Sequence, residues 1–315
     1  MVPRFVLYVV RRALVALLLV ALVASAALLL ARLAPGDHLS AFDLDPAVVA
    51  AERQRLGLDA PLHVQYLAWA GRLIRFDLGE STRYPGRAVS DLIAERAGLS
   101  VLVGAAALLF ATVIGIPLGV LGGSRRGGLL SPATRAVTVV VLSTPPVVLS
   151  LLLLLIASRT GWFPVGGLPS NPAPAETLRH LILPVLALGL PIAAALERLQ
   201  ARSIADALTA PSLMAAKARG LSTERLVWRH AFRLSLTPVL AIYGVIIGAL
   251  ISGSFVVEYV MTWPGLGRLM YDALIYRDAN LVAGCAATGA ACLALGIFIS
   301  DVALAAADPR VHASR

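Results

Sequence analysis

Charge, lysine and cysteine are all scarce in this sequence. Of 315 residues only 14% are charged, while 58% are hydrophobic, and the mean hydropathy is +0.83. Soluble domains run about half apolar and a quarter charged, so this composition is far outside their norm, and disordered, fibrous and small disulfide-stapled chains are excluded. Two cysteines cannot build a disulfide framework. Cys285 and Cys292 stand about two helical turns apart in an apolar run, roughly 10 Å along one helix face and too far to bridge, and they read as small buried hydrophobes. Catalytic signatures are missing as well. There is no His-Glu-x-x-His, no Gly-x-Ser-x-Gly elbow and no cysteine–histidine cluster of the kind that binds zinc. The histidines, His38, His63, His180, His230 and His312, are scattered. Gly265-Leu266-Gly267 follows no strand and reads as a turn. A phosphate-binding P-loop needs Gly-Lys before Ser or Thr, but the sole lysine, Lys217, lies between Ala216 and Ala218. Any ATP hydrolysis therefore belongs to another subunit.

The net charge of +9 first suggests an acidic partner such as nucleic acid. Its distribution points elsewhere, because the excess is arginine in short loops between long apolar runs, which is how a membrane protein fixes its orientation. A helix crossing the hydrocarbon core needs about 20 apolar residues. Runs of that order extend over Ala13–Ala31, Ala97–Ser124, Ala136–Ser158, Leu234–Val257 and Ala279–Ser300. A shorter one, Leu181–Leu196, holds Pro184 and Pro191 and spans if Glu197 and Arg198 snorkel and the prolines kink it. The fold class is thus all-α and polytopic, with six transmembrane helices. Arg11 and Arg12 before the first run mimic a secretory signal, but the apolar stretch outlasts a signal core and reads as an uncleaved anchor.

With the N-terminus inside, Arg4, Arg11, Arg12, Arg125, Arg126, Arg135, Arg198, Arg202, Lys217, Arg219, Arg225, Arg229, Arg233, Arg310 and Arg315 are cytoplasmic. Only Arg159, Arg179, Arg268 and Arg277 then fall in short outer loops, so both termini are placed inside. Asp301, near the inner end of the last run, is the clearest ionisable group in a span, and a helix-end role suits it better than a functional one. Few midplane polar groups also count against a proton- or sodium-coupled carrier, without removing that alternative. Gly115, Gly119 and Gly123, like Gly244 and Gly248, are small-residue ladders for close helix packing.

The outer segment carries helix signals at Asp45-Pro46, with Gly57 as a stop, and again near Asp59 and Pro61. The second of these helices has Leu62, Tyr66, Trp69 and Leu73 along one side, and Asp77-Leu78-Gly79-Glu80-Ser81 follows as a turn. Together they make a small helical cap. Between the fourth and fifth runs, Ala215, Ala216, Lys217, Ala218 and Arg219 favour helix and Gly220 breaks it. A further helix starts near Ser222 with Glu224 in its first turn. Arg225, Arg229 and Arg233 form a basic stripe beside an apolar pair, Trp228 and Phe232. Two readings remain open on these residues alone: a basic helix on anionic lipid, and a docking helix for a cytoplasmic partner.

Ala215-Ala216-Lys217-Ala218-Arg219-Gly220-Leu221-Ser222, Arg229-His230-Ala231-Phe232-Arg233 and Thr237-Pro238-Val239-Leu240 closely resemble the EAA loop of ATP-binding-cassette importer permeases. The branch they look like is the dipeptide/oligopeptide permease family, whose relatives also carry nickel and other small solutes. Gly57-Leu58-Asp59, Pro61-Leu62-His63-Val64-Gln65-Tyr66-Leu67, Asp77-Leu78-Gly79, Trp263-Pro264-Gly265-Leu266-Gly267-Arg268-Leu269, Arg277-Asp278 and Asp308-Pro309-Arg310 match further motifs of that family, in order. Met214 stands in the place of the motif's glutamate, and Ala210-Pro211-Ser212-Leu213 replaces a tyrosine-containing lead-in. The resemblance implies residues 1–32 as an anchor helix, 33–96 as an extracytoplasmic helical segment, and 97–315 as a five-helix permease core. A cytoplasmic coupling loop at about 200–237 would seat on an ATPase through Ala215, Ala216, Lys217, Ala218, Arg219, Gly220, Leu221 and Arg225. It also implies a homologous second permease, two cytoplasmic ATPases holding ATP and magnesium, and an extracytoplasmic solute-binding protein, with no catalysis and no cofactor on this inner-membrane chain.

Overall fold

The computed structural model describes residues 2–34, 46–55, 57, 59–124, 130–169 and 173–307. Asp45, Leu58, Arg125, Arg126, His38, His312, Arg315 and the Asp308-Pro309-Arg310 motif lie outside them. The described residues are almost wholly helical, with one isolated antiparallel bridge between Glu80 and Ala88. Among the described residues five helices are long and apolar enough to cross a membrane, and six spans result if one sharply bent pair is a single crossing. The chain divides into two compact units, 1–100 with 264–294 and 101–263 with 295–315.

The first unit begins with α1 (Val2–Leu33), α2 (Pro46–Arg55) and α3 (Leu62–Leu73). Proline at its first position suits α2, since the missing N–H would lack a partner there anyway. Gly57 then halts the chain at φ +63°, as expected. The Asp77–Ser81 turn is also present: Gly79 has φ +80° and its N–H donates to Asp77 Oδ1 at 2.8 Å. Helix α4 (Val89–Ser124) starts eight residues before the expected apolar run. The stretch read as a turn at Gly265-Leu266-Gly267 is instead the start of α12 (Leu266–Ile275). Leu266, Leu269, Met270 and Ala273 recur at helical spacing and pack on Val89, Leu92, Ile93, Leu281, Val282 and Cys285. The Leu266 N–H donates to Ser100 Oγ at 2.7 Å, which satisfies one of the open donors of that first turn. Helix α13 (Ala279–Ala307) follows. Cys285 is buried and Cys292 half-buried, both free, as small hydrophobes should be.

In the second unit the expected straight span over 136–158 is broken. Helices α5 (Leu130–Ser143) and α6 (Pro146–Thr160) meet at a bend of 105°. Pro145 and Pro146 offer no N–H, and a residue preceding proline is driven out of the helical region; Pro145 has ψ 146°. Helix α7 (Pro174–Leu208) continues through Pro184 and Pro191 and is far longer than its apolar run. Glu197 does not snorkel from it. Its side chain is buried and accepts a hydrogen bond from Thr138 Oγ1 on α5 at 3.1 Å. The fifth run also divides, into α10 (Phe232–Ala241) and α11 (Tyr243–Val260). Pro238 removes one ladder bond, and the Ile242 N–H turns to Val239 O at 3.3 Å.

The glycine ladder on α4 does what its spacing predicts. A Cβ at Gly115 would lie 2.5 Å from Ala193 O, and one at Gly119 would lie 2.6 Å from Glu197 O. Gly123 faces Ala201 O just as closely. Backbone of α4 therefore rests directly on backbone of α7.

Candidate functional site

The polar stretch after α7 folds as a short helix, a turn and a longer irregular helix. Thr209 and Ala210 end α7, and Pro211 opens α8 (Pro211–Ala218), so the proline lead-in serves as a helix start. Gly220 follows at φ +87°, a left-handed conformation that glycine adopts without strain. Helix α9 (Thr223–Arg225) runs into a π-helical segment, Leu226–Ala231, and then into α10. Single π turns inside helices hold an extra residue and cluster at functional sites.

The inner side of this loop is apolar. Leu213 and Ala216 of α8 pack with Leu226, Val227 and Ala231 of the π segment against Val120 of α4 and Ile204 of α7, with Leu221 half-buried beside them. Of the residues read as a docking set, Ala215, Lys217, Ala218, Arg219, Gly220 and Arg225 are exposed, whereas Ala216 faces inward and holds the loop to the bundle. Met214, in the place of the motif glutamate, is 58% exposed, and Trp228 is 43% exposed. The outward face is thus small residues flanked by two large apolar ones, with basic groups around them.

Arg225, Arg229 and Arg233 are all exposed, and the π segment Leu226–Ala231 lies between the first and the last of them. The Trp228–Phe232 pair does form, with ring centroids 6.1 Å apart.

Two buried polar pairs went unread in the sequence. Gln200 Nε2 on α7 donates to Ser235 Oγ on α10 at 2.8 Å, and that hydroxyl donates to Phe232 O at 2.9 Å. Glu197, one turn earlier, holds Thr138. Two polar residues three apart, Glu197 and Gln200, where the apolar part of α7 ends were the available signal. Removing one partner of a buried pair costs about 1–3 kcal/mol, whereas removing both is nearly neutral. Ser235→Ala is therefore expected to lower the Tm of the purified protein, and adding Gln200→Leu should recover much of the loss. A double variant no better than Ser235→Ala would show that this bond is not what fixes α10.

Among the described residues no group of three His, Cys, Asp or Glu side chains could hold a metal ion. The family model described as binding-protein-dependent transport system inner membrane component matches residues 115–313. The chain belongs to this family. Full-length relatives agree. It is 31% identical to the oligopeptide transport system permease protein AppB of Bacillus subtilis, over 97% of this chain and 99% of that protein. It is 31% identical to the di/tripeptide transport system permease protein DppB of Pseudomonas aeruginosa, over 91% and 93%, and 32% identical to the glutathione transport system permease protein GsiC of Salmonella choleraesuis, over 87% and 89%. The permease is a non-catalytic, multi-pass inner-membrane subunit of an ATP-binding-cassette importer. A binding-protein-dependent system implies a solute-binding protein and ATPases, and the latter hydrolyse the ATP.

Proposed function

We propose that this permease forms half of a translocation pathway for peptides or similar small solutes, beside a homologous second permease, and that the 211–225 loop couples it to a cytoplasmic ATPase. The carrying observation is the two-sidedness of the loop. Its inner face is fastened to Val120 and Ile204 of two long helices, while its outer face offers Ala215, Ala218 and Gly220 between Lys217, Arg219 and Arg225. Small side chains let the backbone enter a groove, and the cations pair with acidic groups there. A push on the loop is delivered to α4 and α7 because the inner cluster is close-packed and does not compress. Both termini then lie in the cytoplasm with the loop. Peptide as cargo follows the names of the relatives and is fold-level analogy.

Ala218→Glu tests the coupling. Ala218 is exposed on a helix, and glutamate is a good helix former. Gly220→Glu is less clean, because φ +87° strains any residue with a Cβ. With Ala218→Glu, solute uptake should fall at least tenfold, about 1.4 kcal/mol of lost coupling, and the ATPase should no longer copurify in mild detergent, while the amount of permease in the membrane is unchanged. Wild-type uptake by this variant would sink the proposal. Recovery of the native chain alone, active without any ATPase, would favour a self-sufficient carrier or channel.

A further inference from the structure

Helix α3 lies deeper than its place in the sequence suggests. One side, Tyr66, Trp69, Ala70 and Leu73, packs against Val20, Ala24, Leu28 and Ala31 of α1 and against Ala279, Ala283 and Ala287 of α13. The hydroxyls of Tyr66 and Ser25 are 3.0 Å apart. Ser25 precedes the end of α1 at Leu33 by eight residues, a depth of about 12 Å at 1.5 Å per residue. Ala283 and Ala287 follow the start of α13 by four and eight residues, about 6 and 12 Å. Two separate helices thus give the same depth for α3. Each contributes a candidate span of 24 residues, about 36 Å long, against a hydrocarbon core of about 30 Å, so only a few ångströms of each end project beyond it. The packed side of α3 therefore sits at or below the edge of the hydrocarbon.

Its other side is apolar and uncovered. Val64 is 45% exposed, Leu67 66% and Ile74 81%, and exposed Ala68 and Gly71 lie between them at helical spacing. Between Asp59 and Asp77 there is no acidic residue, while His63, Arg72 and Arg75 supply basic groups. Just beyond the helix Phe76 is 93% exposed and held at φ 58°, a conformation unfavourable for a bulky residue. Hydrogen bonds from Phe76 N to Leu73 O at 3.0 Å and from Asp77 N to Arg72 O at 3.0 Å lock that geometry, which turns the ring outward. Local strain of this kind persists where the surroundings repay it.

We propose that α3, with Ile74 and Phe76, is an interfacial helix whose open stripe is embedded in the acyl chains of the leaflet at the Leu33 end of α1, with Arg75 at the phosphate level. An apolar stripe, basic flanks and shallow burial are the attributes of such helices. The inference rests on α1 and α13 being membrane spans, and it stands whether or not the 211–225 loop docks an ATPase. The helical segment expected as an outer cap is then in part a membrane element.

Nitroxide labels placed by Leu67→Cys or Ile74→Cys in the full chain, with Cys285→Ala and Cys292→Ala, test this in phosphatidylethanolamine–phosphatidylglycerol vesicles. Both sites should be relaxed by oxygen and shielded from a water-soluble nickel chelate, like a label at Leu17 on α1 and unlike one at Glu224, with a depth of about 5–10 Å. Nickel access equal to that at Glu224 would overturn the proposal in favour of an aqueous face. Shielding from both reagents would overturn it in favour of a covering protein. A benzophenone amino acid at position 67 in the chain with its native cysteines provides a second readout in cells: lipid adducts support the interfacial helix, and adducts to protein alone overturn it.

Discussion

Replacing Gly119 with alanine is expected to destabilise the permease, whereas the same change at Gly104, on the same helix, leaves it unchanged or more stable. Alanine is favoured over glycine inside a helix by about 1 kcal/mol, so propensity alone predicts a gain at both positions. At Gly104 nothing lies within 4 Å of the added Cβ, and the gain stands. At Gly119 the Cβ would come 2.6 Å from Gln200 Cβ, 2.6 Å from Glu197 O and 3.1 Å from Ala201 N. Two of these are backbone atoms of α7, which cannot rotate away. The helices must separate, at a cost of about 1–3 kcal/mol for overpacking. Gln200 Cβ is itself one of the atoms met, so Gln200 must shift and weaken its bond to Ser235, worth about 1 kcal/mol. Together these exceed the propensity gain, for a net loss of about 1–3 kcal/mol. Thermal unfolding of both purified variants decides it. Equal shifts of Tm would mean that the seam between α4 and α7 relaxes freely.

The long elements were legible because each carries its own evidence. An apolar run of span length needs no distant partner to be recognised, which is why α1, α4 and α13 each cover an expected run. The bend at Pro145-Pro146 was also written in the sequence, but the apolar character of the whole run outweighed two prolines. Helix α12 was hidden for the opposite reason. Gly265-Leu266-Gly267 reads as a turn, and a ten-residue amphipathic stretch that begins within it is too short to stand out. The π segment has no local signature, since the extra residue is accommodated by packing of Leu226, Val227 and Ala231 on Val120 and Ile204. The same dependence governs the loop. Its composition named the exposed residues, while the inward turn of Ala216 needed the position of Val120 on another span. Buried acids were the least visible. Asp301 stood out in sequence, yet among the described residues Glu258 and Asp278 are the fully buried acids, and nothing near Asp278 in the chain foretells a partner 197 residues away.

Asp278→Ala is expected to cost about 3–5 kcal/mol, because one carboxylate serves three donors and a helix end. Asp278 is fully buried. Its Oδ2 accepts from Ser81 Oγ at 2.6 Å and from the Arg83 N–H at 3.0 Å. Its Oδ1 accepts from the Leu281 N–H at 3.0 Å, the third residue on, which makes Asp278 the N-cap of α13. The charge also sits at the positive end of that helix. Around this clasp the Arg83 guanidinium stacks on Tyr276 at 3.7 Å, and Asn280 Nδ2 donates to Glu80 O at 3.1 Å. Alanine would strand the Ser81 hydroxyl and two backbone donors together. Asparagine keeps one oxygen for the two donors at Oδ2, but turns an NH2 toward the Leu281 N–H, so Asp278→Asn should recover only part of the loss. Ser81→Ala removes a single bond and should cost about 1 kcal/mol. The expected order of Tm is thus Ser81→Ala highest, then Asp278→Asn, then Asp278→Ala, with proteolytic cutting of the 77–88 loop rising in the same order. Equal losses for Ser81→Ala and Asp278→Ala would reduce the clasp to one hydrogen bond. The stated order makes the Asp77-Leu78-Gly79 turn and the Arg277-Asp278 pair one physical unit, the turn delivering Ser81 and Arg83 to the carboxylate that starts the last span.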